Sequence, residues 1–359
     1  MKSKSHNRYQ RHFHLPNFSE AEQQKLTDAK VLVVGAGGLG APLLQYLTAA
    51  GVGTIGIVDF DRVEESNLHR QILFGDADLG KLKVEVAIQK LKAHNPFVEF
   101  VSHTEKLTSQ NAFDIISKYD VVADGTDNFP TRYLVNDACV ILGKTNVYAS
   151  IFRYEGQVSV FNYLGKKKNP NYRDLHPNPP SPGTVPNCAE AGVLGVLPGI
   201  IGAMQANEVI KVITGIGEPL VGKLFVFDAL TMQSRKIGFE KVQSQKPITE
   251  LIDYDEFCGI RQPAVDSISK EGLKAWLNAE YPFLLVDVRT EKEHVTQNIG
   301  GVNIPFNQLD KNLKLFEGAA EVVVYCHSGF RSGKALEVLK EKFPNQKFYN
   351  LKGGIEEWY

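Results

Sequence analysis

The stretch Val31–Asp59 reads VLVVGAGGLGAPLLQYLTAAGVGTIGIVD, and its pattern decides the fold. A short apolar run, Val31 to Val34, ends in Gly35-Ala36-Gly37-Gly38-Leu39-Gly40 and passes into an apolar segment of helical period. A second apolar run, Ile55 to Val58, closes on Asp59. Strand, glycine turn, helix, strand and acid make a nucleotide-binding βαβ unit. Gly35 and Gly37 permit a tight turn and close backbone approach. The helix N-terminus offers unpaired N–H groups and a positive dipole end to phosphate. Asp59, roughly twenty residues beyond the turn, suits a ribose hydroxyl. The unit by itself leaves the nucleotide open.

At 359 residues the chain is long enough for about two domains with full cores. Its 40 basic and 41 acidic residues nearly cancel, which argues against bulk attraction to nucleic acid or to an anionic membrane. The N-terminal MKSKSHNRYQRHFH is basic but has no apolar core region, unlike a secretory signal. The most apolar segment, Ala191 to Ala206, is interrupted by glycines and Pro198 and is shorter than the roughly twenty residues a bilayer span needs. It reads as a buried core helix. The cysteines Cys139, Cys188, Cys258 and Cys326 lie far apart with no CxxC pair, so neither a disulfide framework nor a standard zinc site is indicated. A cytoplasmic protein is expected.

Along the chain, Ser19-Glu20-Ala21-Glu22 is a capping-box pattern that should start a short helix before the first strand. After Asp59 comes Asp61-Arg62-Val63-Glu64-Glu65-Ser66-Asn67-Leu68-His69-Arg70-Gln71, too polar for a strand and too rich in hydrogen-bonding groups for a spacer. A helix follows from about Lys81 to His94, then strands at Phe97–Ser102 and Asp120–Asp124, the latter ending at Gly125-Thr126-Asp127-Asn128. The tail of a parallel strand is where α/β sheets put their ligands. Val147–Ser150 and Gln157–Phe161 read as further strands. Gly165 to Pro186 has no apolar periodicity and is either a functional lid or disordered. A long helix ending near Thr214 and strands at Leu224–Asp228 and Gln233–Ile237 finish a first domain, 1–240. Residues 241–265 read as a linker. A second α/β pattern, 266–359, holds strands at Phe283–Val286, Val322–Tyr325 and Phe348 and a helix to about Phe343.

Arg70 and Lys83 follow the second strand of the nucleotide unit, and Asp127 stands at the end of a later one. A bound triphosphate needs cations for its oxygens and a carboxylate to hold Mg2+. A nicotinamide site needs no such arrangement. GAGGLG, DFD, SNLHRQ, GKLKVE, GTDN and CAEAG, in this order and spacing, resemble the MoeB/ThiF family of adenylyltransferases, over about Tyr9 to Ile237. The resemblance implies a Rossmann-like domain with a mixed sheet and ATP binding by Gly38, Asp59, Asn67, Arg70, Gln71, Lys83, Asp127 and Asn128. It implies that Arg11 reaches the triphosphate of a partner subunit, and hence a homodimer. The implied substrate is a ubiquitin-like sulfur carrier, MoaD-like or ThiS-like, whose C-terminal Gly-Gly carboxylate attacks the α-phosphate and releases pyrophosphate. That nucleophile is already an anion, so positioning and charge neutralisation can do most of the catalysis.

The sequence departs from the family in one respect. Many members hold zinc with two CxxC pairs. Here Asn171-Tyr172-Arg173-Asp174 stands at the first and Asp255-Glu256-Phe257-Cys258 near the second. Asn and Asp cannot replace thiolates in a tetrahedral structural site, so no structural zinc is expected. Cys188 matches the family's cysteine on the loop crossing the adenylate site, which is covalently used in some relatives and dispensable in others. A small buried residue before a helix is the alternative. Cys139 lies in an apolar helix-like run and reads as core.

Cys326 is different. Strand, Cys, short loop, Arg, then helix is an arrangement for stabilising a thiolate, with Arg331 close to the sulfur. Cys-x4-Arg, Asp287-Val288-Arg289 and Leu351-Lys352-Gly353-Gly354 resemble the rhodanese family over about Ile268 to Tyr359, a small α/β fold. Its shorter Cys–Arg loop suits a persulfide better than a phosphate. The expected protein makes an acyl-adenylate in one domain and carries the sulfur that displaces AMP in the other. Thiosulfate or a persulfide enzyme is the expected donor, and molybdopterin synthesis the expected pathway, with thiamine thiazole synthesis as the alternative. A nicotinamide-dependent oxidoreductase and a non-catalytic interaction module are the remoter readings.

Overall fold

The computed structural model describes residues 7–163, 165, 169–180, 192–243, 247–259 and 266–359. The chain divides into two compact units, Met1–Tyr254 and Asp255–Tyr359.

The first unit is built on a sheet of β1 Lys30–Val34, β2 Thr54–Val58, β3 Glu99–His103, β4 Val121–Asp124, β5 Thr145–Phe152, β6 Glu155–Phe161, β7 Lys223–Asp228 and β8 Ser234–Gly238. Their order is β3-β2-β1-β4-β5-β6-β7-β8. The strands from β3 to β5 pair in parallel and the remaining pairs are antiparallel, giving the mixed sheet the family resemblance implied. The chain starts mid-sheet at β1, moves outward through β2 and β3, then returns to β4 on the other side. That reversal opens a crevice beyond the strand ends. Val34 pairs with Val58 on one side and Asp124 on the other, so the turns after β1, β2 and β4 emerge level.

Val31, Val33, Leu43, Leu44, Leu47, Ile55 and Ile57 are fully buried between strands and helix Gly40–Ala50. The apolar period of the opening stretch is thus the core itself. Ser19 caps helix Glu20–Asp28 with the capping box its sequence announced. Helix Val196–Thr214 is long and apolar enough to cross a bilayer by those measures alone. Here it packs on the sheet, burying Leu197, Ile201, Ala206 and Val209, while Gln205 donates to the carbonyls of Asp124 and Val147 at 2.8 and 2.9 Å.

Two stretches differ from the sequence reading. Within Gly165–Pro186, Asn171 caps a short helix, Tyr172–Leu175. Tyr172 is buried among the rings of Tyr133, Tyr148 and Phe161, so part of the stretch expected as lid or disorder is anchored. Part of the expected linker is anchored too. The Val242 N–H donates to Asp174 at 2.8 Å, Ser109 to the Ile252 carbonyl at 2.7 Å, and the Tyr254 hydroxyl to Asp137 at 2.8 Å.

The second unit has a wholly parallel sheet of β9 Ser267–Ile268, β10 Leu284–Asp287, β11 Val302–Asn303, β12 Glu321–Tyr325 and β13 Lys347–Leu351, in the order β11-β10-β12-β13-β9. Such a sheet needs cover on both faces. Val322, Val324, Leu336, Leu339 and Phe348 form the core on one face, and Leu273, Val323, Tyr325 and Leu351 on the other.

Candidate active site

The crevice of the first unit is formed by the turns after β1, β2 and β4. Gly35 takes φ +95°, and its N–H donates to Val58 O at 2.8 Å. A Cβ on Gly40 would stand 1.9 Å from Gly35 O, so no other residue fits that position without moving the turn. Asp59 locks the glycine turn to β2. Its carboxylate accepts the Ala36 N–H at 2.8 Å and the Asp61 N–H at 2.9 Å. Burial pushes its carboxyl above the usual range, opposed by the charge of Lys83.

Lys83, at the start of helix Lys83–His94, is buried and places its Nζ 2.9 Å from Asp61 Oδ2. Arg70 and Gln71 share one acceptor, Asn67 Oδ1, at 2.8 and 3.0 Å. Gln71 is buried in the crevice wall, and its Oε1 has no protein partner. After β4, Asn128 caps helix Phe129–Leu142 by accepting the Thr131 N–H at 3.0 Å. Asp127 beside it is exposed. Arg132, one turn into that helix, is buried and donates to Thr126 O at 3.0 Å. The wall therefore carries Arg70, Lys83, Lys106 and Arg132 beside Gly37 and Gly38, with Asp59, Asp61 and Asp127 among them. Cations around a glycine turn at a helix N-terminus, an acceptor left open and an exposed carboxylate fit a nucleoside triphosphate.

In the second unit, β12 runs into Cys326, and helix Phe330–Lys342 starts after Gly329 at φ +87°. Cys326 is buried, with the Ser332 Oγ 3.3 Å from its sulfur. The loop rests on the glycine pair of the next strand end. Ile355 and Glu356 donate their N–H groups to the carbonyls of Cys326 and His327 at 2.9 and 3.0 Å. A Cβ on Gly354 would lie 2.3 Å from His327 O, which explains the Lys352-Gly353-Gly354 motif. Arg331 forms a two-pronged pair with Glu293, at 2.9 and 2.6 Å. Asp287 and Arg289 bond each other at the end of β10, with His294 and Asn303 joining them. They brace the end of β10, whose neighbour β12 leads into the loop.

Residues 9–248 match the ThiF family, and residues 269–359 match the rhodanese-like domain. The chain belongs to the ThiF family. This ThiF-family chain is 46% identical to the probable adenylyltransferase/sulfurtransferase MoeZ of Mycobacterium tuberculosis, over 98% of this chain and 92% of that one. It is 50% identical to a sulfur carrier protein adenylyltransferase of Thermus thermophilus, over 71% of this chain and 97% of the relative. It is 41% identical to the adenylyltransferase and sulfurtransferase MOCS3 of Drosophila yakuba, over 98% and 82%. Among solved structures, Escherichia coli MccB shares the fold, with a TM-score of 0.60 at 22% identity over 68% of this chain and 75% of that one. Membership of this family makes the protein an ATP-using adenylyltransferase with an attached sulfurtransferase domain.

Of the residues expected from sequence in the ThiF-family unit, Gly38, Asp59, Arg70, Gln71, Lys83, Asp127 and Asn128 line the crevice together. Asn67 stands behind the wall and orients Arg70 and Gln71. Arg11 is exposed on helix Gln10–Phe13 and is not part of the crevice wall of this chain. Cys188 lies outside the described residues. Cys326 and Arg331 come together in the second unit, with the guanidinium committed to Glu293. Sequence reasoning missed Asp61, Lys106 and Arg132. The last was within reach, since it lies one helical turn from Asn128 and follows it on the same face.

Proposed function

We propose that this enzyme adenylylates the C-terminal glycine of a ubiquitin-like sulfur carrier in the crevice of the first unit and converts it to a thiocarboxylate with sulfur carried on Cys326. The reading rests on one observation above others: the crevice gathers Arg70, Lys83, Lys106 and Arg132 around the glycine turn, with Asp127 at the end of β4. Gly38 and the helix N-terminus receive phosphate, and Asp59 accepts from the ribose. Gln71 Oε1 gains a partner when the nucleotide enters. Asn67 binds ATP with Arg70 and Gln71, which it orients, and Asn128, in the crevice wall beside Asp127, takes part in binding too. Asp127 would hold Mg2+, which neutralises charge on the triphosphate. Arg11 completes the site of the partner subunit in a homodimer.

The carrier's carboxylate attacks the α-phosphorus, an O–P bond forms, and pyrophosphate leaves with the electron pair of the broken one. No proton moves, so the residues act by position and charge. Val193 lies in the crevice wall. Cys188, through its match to the family's cysteine on the loop crossing the adenylate site, is the residue we assign to a covalent intermediate.

In the second unit a donor such as thiosulfate loads Cys326. The outer sulfur of the resulting persulfide attacks the acyl carbon and AMP leaves. Two electrons from a pair of thiols then cleave the S–S bond, freeing the thiocarboxylate and returning Cys326 as thiolate. Joining both units in one chain raises the local concentration of persulfide to the order of millimolar. Molybdopterin synthesis is the pathway we favour, with thiamine thiazole synthesis second, and a cytoplasmic location suits both. The test is mass spectrometry of MoaD-like and ThiS-like carriers after incubation with the enzyme, MgATP and thiosulfate. A carrier with one oxygen replaced by sulfur supports the proposal. Unchanged carriers with no pyrophosphate released refute it.

A further inference from the structure

Ser332 is fully buried in the first turn of helix Phe330–Lys342 and carries one hydroxyl proton. Three acceptors lie within its reach: Asn350 Oδ1 at 2.7 Å, Gly329 O at 3.0 Å and Cys326 Sγ at 3.3 Å. Asn350 Nδ2 donates to the same Gly329 carbonyl at 2.8 Å, so Asn350, β13 and the helix start hold the serine in place. With Cys326 buried as well, water is kept away from this cluster.

A single proton can serve only one acceptor strongly at a time. A divalent sulfur, as in a thiol or persulfide, is a weak acceptor, so the hydroxyl then donates to Asn350 Oδ1, the nearest oxygen. A thiolate is a far stronger one, because its charge assists the bond. Rotation about the Cβ–Oγ bond is enough to move the proton from Asn350 to the sulfur, and no heavy atom has to shift.

We propose that Ser332 is a catalytic hydrogen-bond donor that stabilises Cys326 Sγ as it leaves in sulfur transfer. The proposal rests on the reading of Cys326 as the sulfur carrier. In loading, the Cys326 thiolate attacks the sulfane sulfur of thiosulfate, an S–S bond forms, and sulfite leaves with the electron pair of the broken one. In discharge to cyanide, carbon attacks the outer sulfur, a C–S bond forms, and the S–S bond breaks. Thiocyanate leaves, and Sγ keeps the electron pair as thiolate. Negative charge grows on Sγ only in the second step, and that is where the hydroxyl acts. Loading instead spends the thiolate, so in alkaline buffer, where the nucleophile is ionised with or without the donor, losing the donor does not slow it.

The full chain is loaded with thiosulfate, freed of excess donor and mixed with cyanide, and persulfide on the Cys326 peptide is followed by mass. Ser332→Ala should load as the parent does and discharge about ten- to a hundredfold more slowly, the effect of losing one hydrogen bond to a charged group. Ser332→Thr should discharge near the parent rate, whereas its isostere Ser332→Val should match Ser332→Ala. Equal discharge by the Thr and Val variants, equal slowing of loading and discharge, or failure of all three variants to load would overturn the proposal. Cys326→Ser separates the two claims. If that variant still turns thiosulfate and cyanide into thiocyanate, the sulfur carrier itself has been misassigned, whatever Ser332 does.

Discussion

Lys83 Nζ lies 2.9 Å from Asp61 Oδ2, joining a side chain that is 5% exposed to one that is 52% exposed. The ammonium is buried at the crevice and the carboxylate reaches out into it. An unpaired buried charge is costly, so Asp61 holds Lys83 in place before a triphosphate arrives. The exposure of Asp61 limits the worth of the pair to about 1 kcal/mol. Asp61→Asn should therefore lower the thermal midpoint of the nucleotide-free enzyme slightly, and MgATP should raise that midpoint by more than it does in the parent. Differential scanning fluorimetry with and without MgATP measures this, and equal shifts in the two proteins would count against the pairing.

Arg70 and Asp127 both line the crevice, one fixed by Asn67 and the other exposed after β4. If they act on the triphosphate and its Mg2+, Arg70→Ala and Asp127→Ala should each lower carrier-dependent ATP–pyrophosphate exchange by roughly a hundredfold or more. Near-normal exchange in both variants would move the site elsewhere.

The Arg331–Glu293 pair offers a pH test. Hydrogen bonding from Arg331 holds the Glu293 carboxyl at about 2, below its ordinary 4.5. A depressed carboxyl contributes stability above its ordinary value, and that contribution is lost as pH falls through the folded value. Both tryptophans, Trp276 and Trp358, lie in the second unit, so their fluorescence reports on its unfolding alone. The urea midpoint of Glu293→Gln should sit modestly below the parent's near neutral pH, since the pair is more than a third exposed. The gap should narrow between pH 4.5 and about 2. A gap that stays constant through that window would show that the ion pair does not set it.

Metal content gives a fourth test. Where a CxxC pair would stand, Asn171 caps its own helix, Arg173 pairs with Asp137 at 2.6 Å and Asp174 accepts from Val242. These bonds join parts of the chain that a metal would otherwise tie together. The purified protein should carry no stoichiometric zinc. One zinc per chain by elemental analysis after dialysis would overturn this.

The central βαβ unit was legible because local pattern and tertiary demand coincide there. The run Val31–Val34, the turn Gly35–Gly40 and Asp59 each need a particular residue type within thirty positions. Cys326 and its loop were legible for the same reason. What escaped depends on distant partners. Nothing near Arg331 announces Glu293, and nothing near Tyr254 announces Asp137, which turns part of an apparent linker into a tether. Asn128 shows a second role that its motif did not announce, since a residue read as touching nucleotide also caps a helix. Lys106 was invisible because its meaning comes from the strand order, which brings the end of β3 to the same crevice as that of β4.

The division of labour is the most demanding prediction. Gly38, Asp59, Arg70, Lys83 and Asp127 all belong to the first unit, so adenylation should proceed without the chemistry of the second. Cys326→Ser should leave carrier-dependent pyrophosphate release intact and abolish transfer of sulfur from thiosulfate or a persulfide donor. The adenylate then accumulates, or passes to Cys188 as a thioester. Cys188→Ser should be the milder change, because the persulfide can attack the adenylate directly. Cys139 is no substitute for either. It is buried in helix Phe129–Leu142, and burial pushes its thiol far above the usual range, so it stays protonated and unreactive. The carrier's mass decides the matter. Full thiocarboxylate formation by Cys326→Ser, with an enzymatic persulfide donor and no free sulfide, would show that sulfur reaches the adenylate without the second unit.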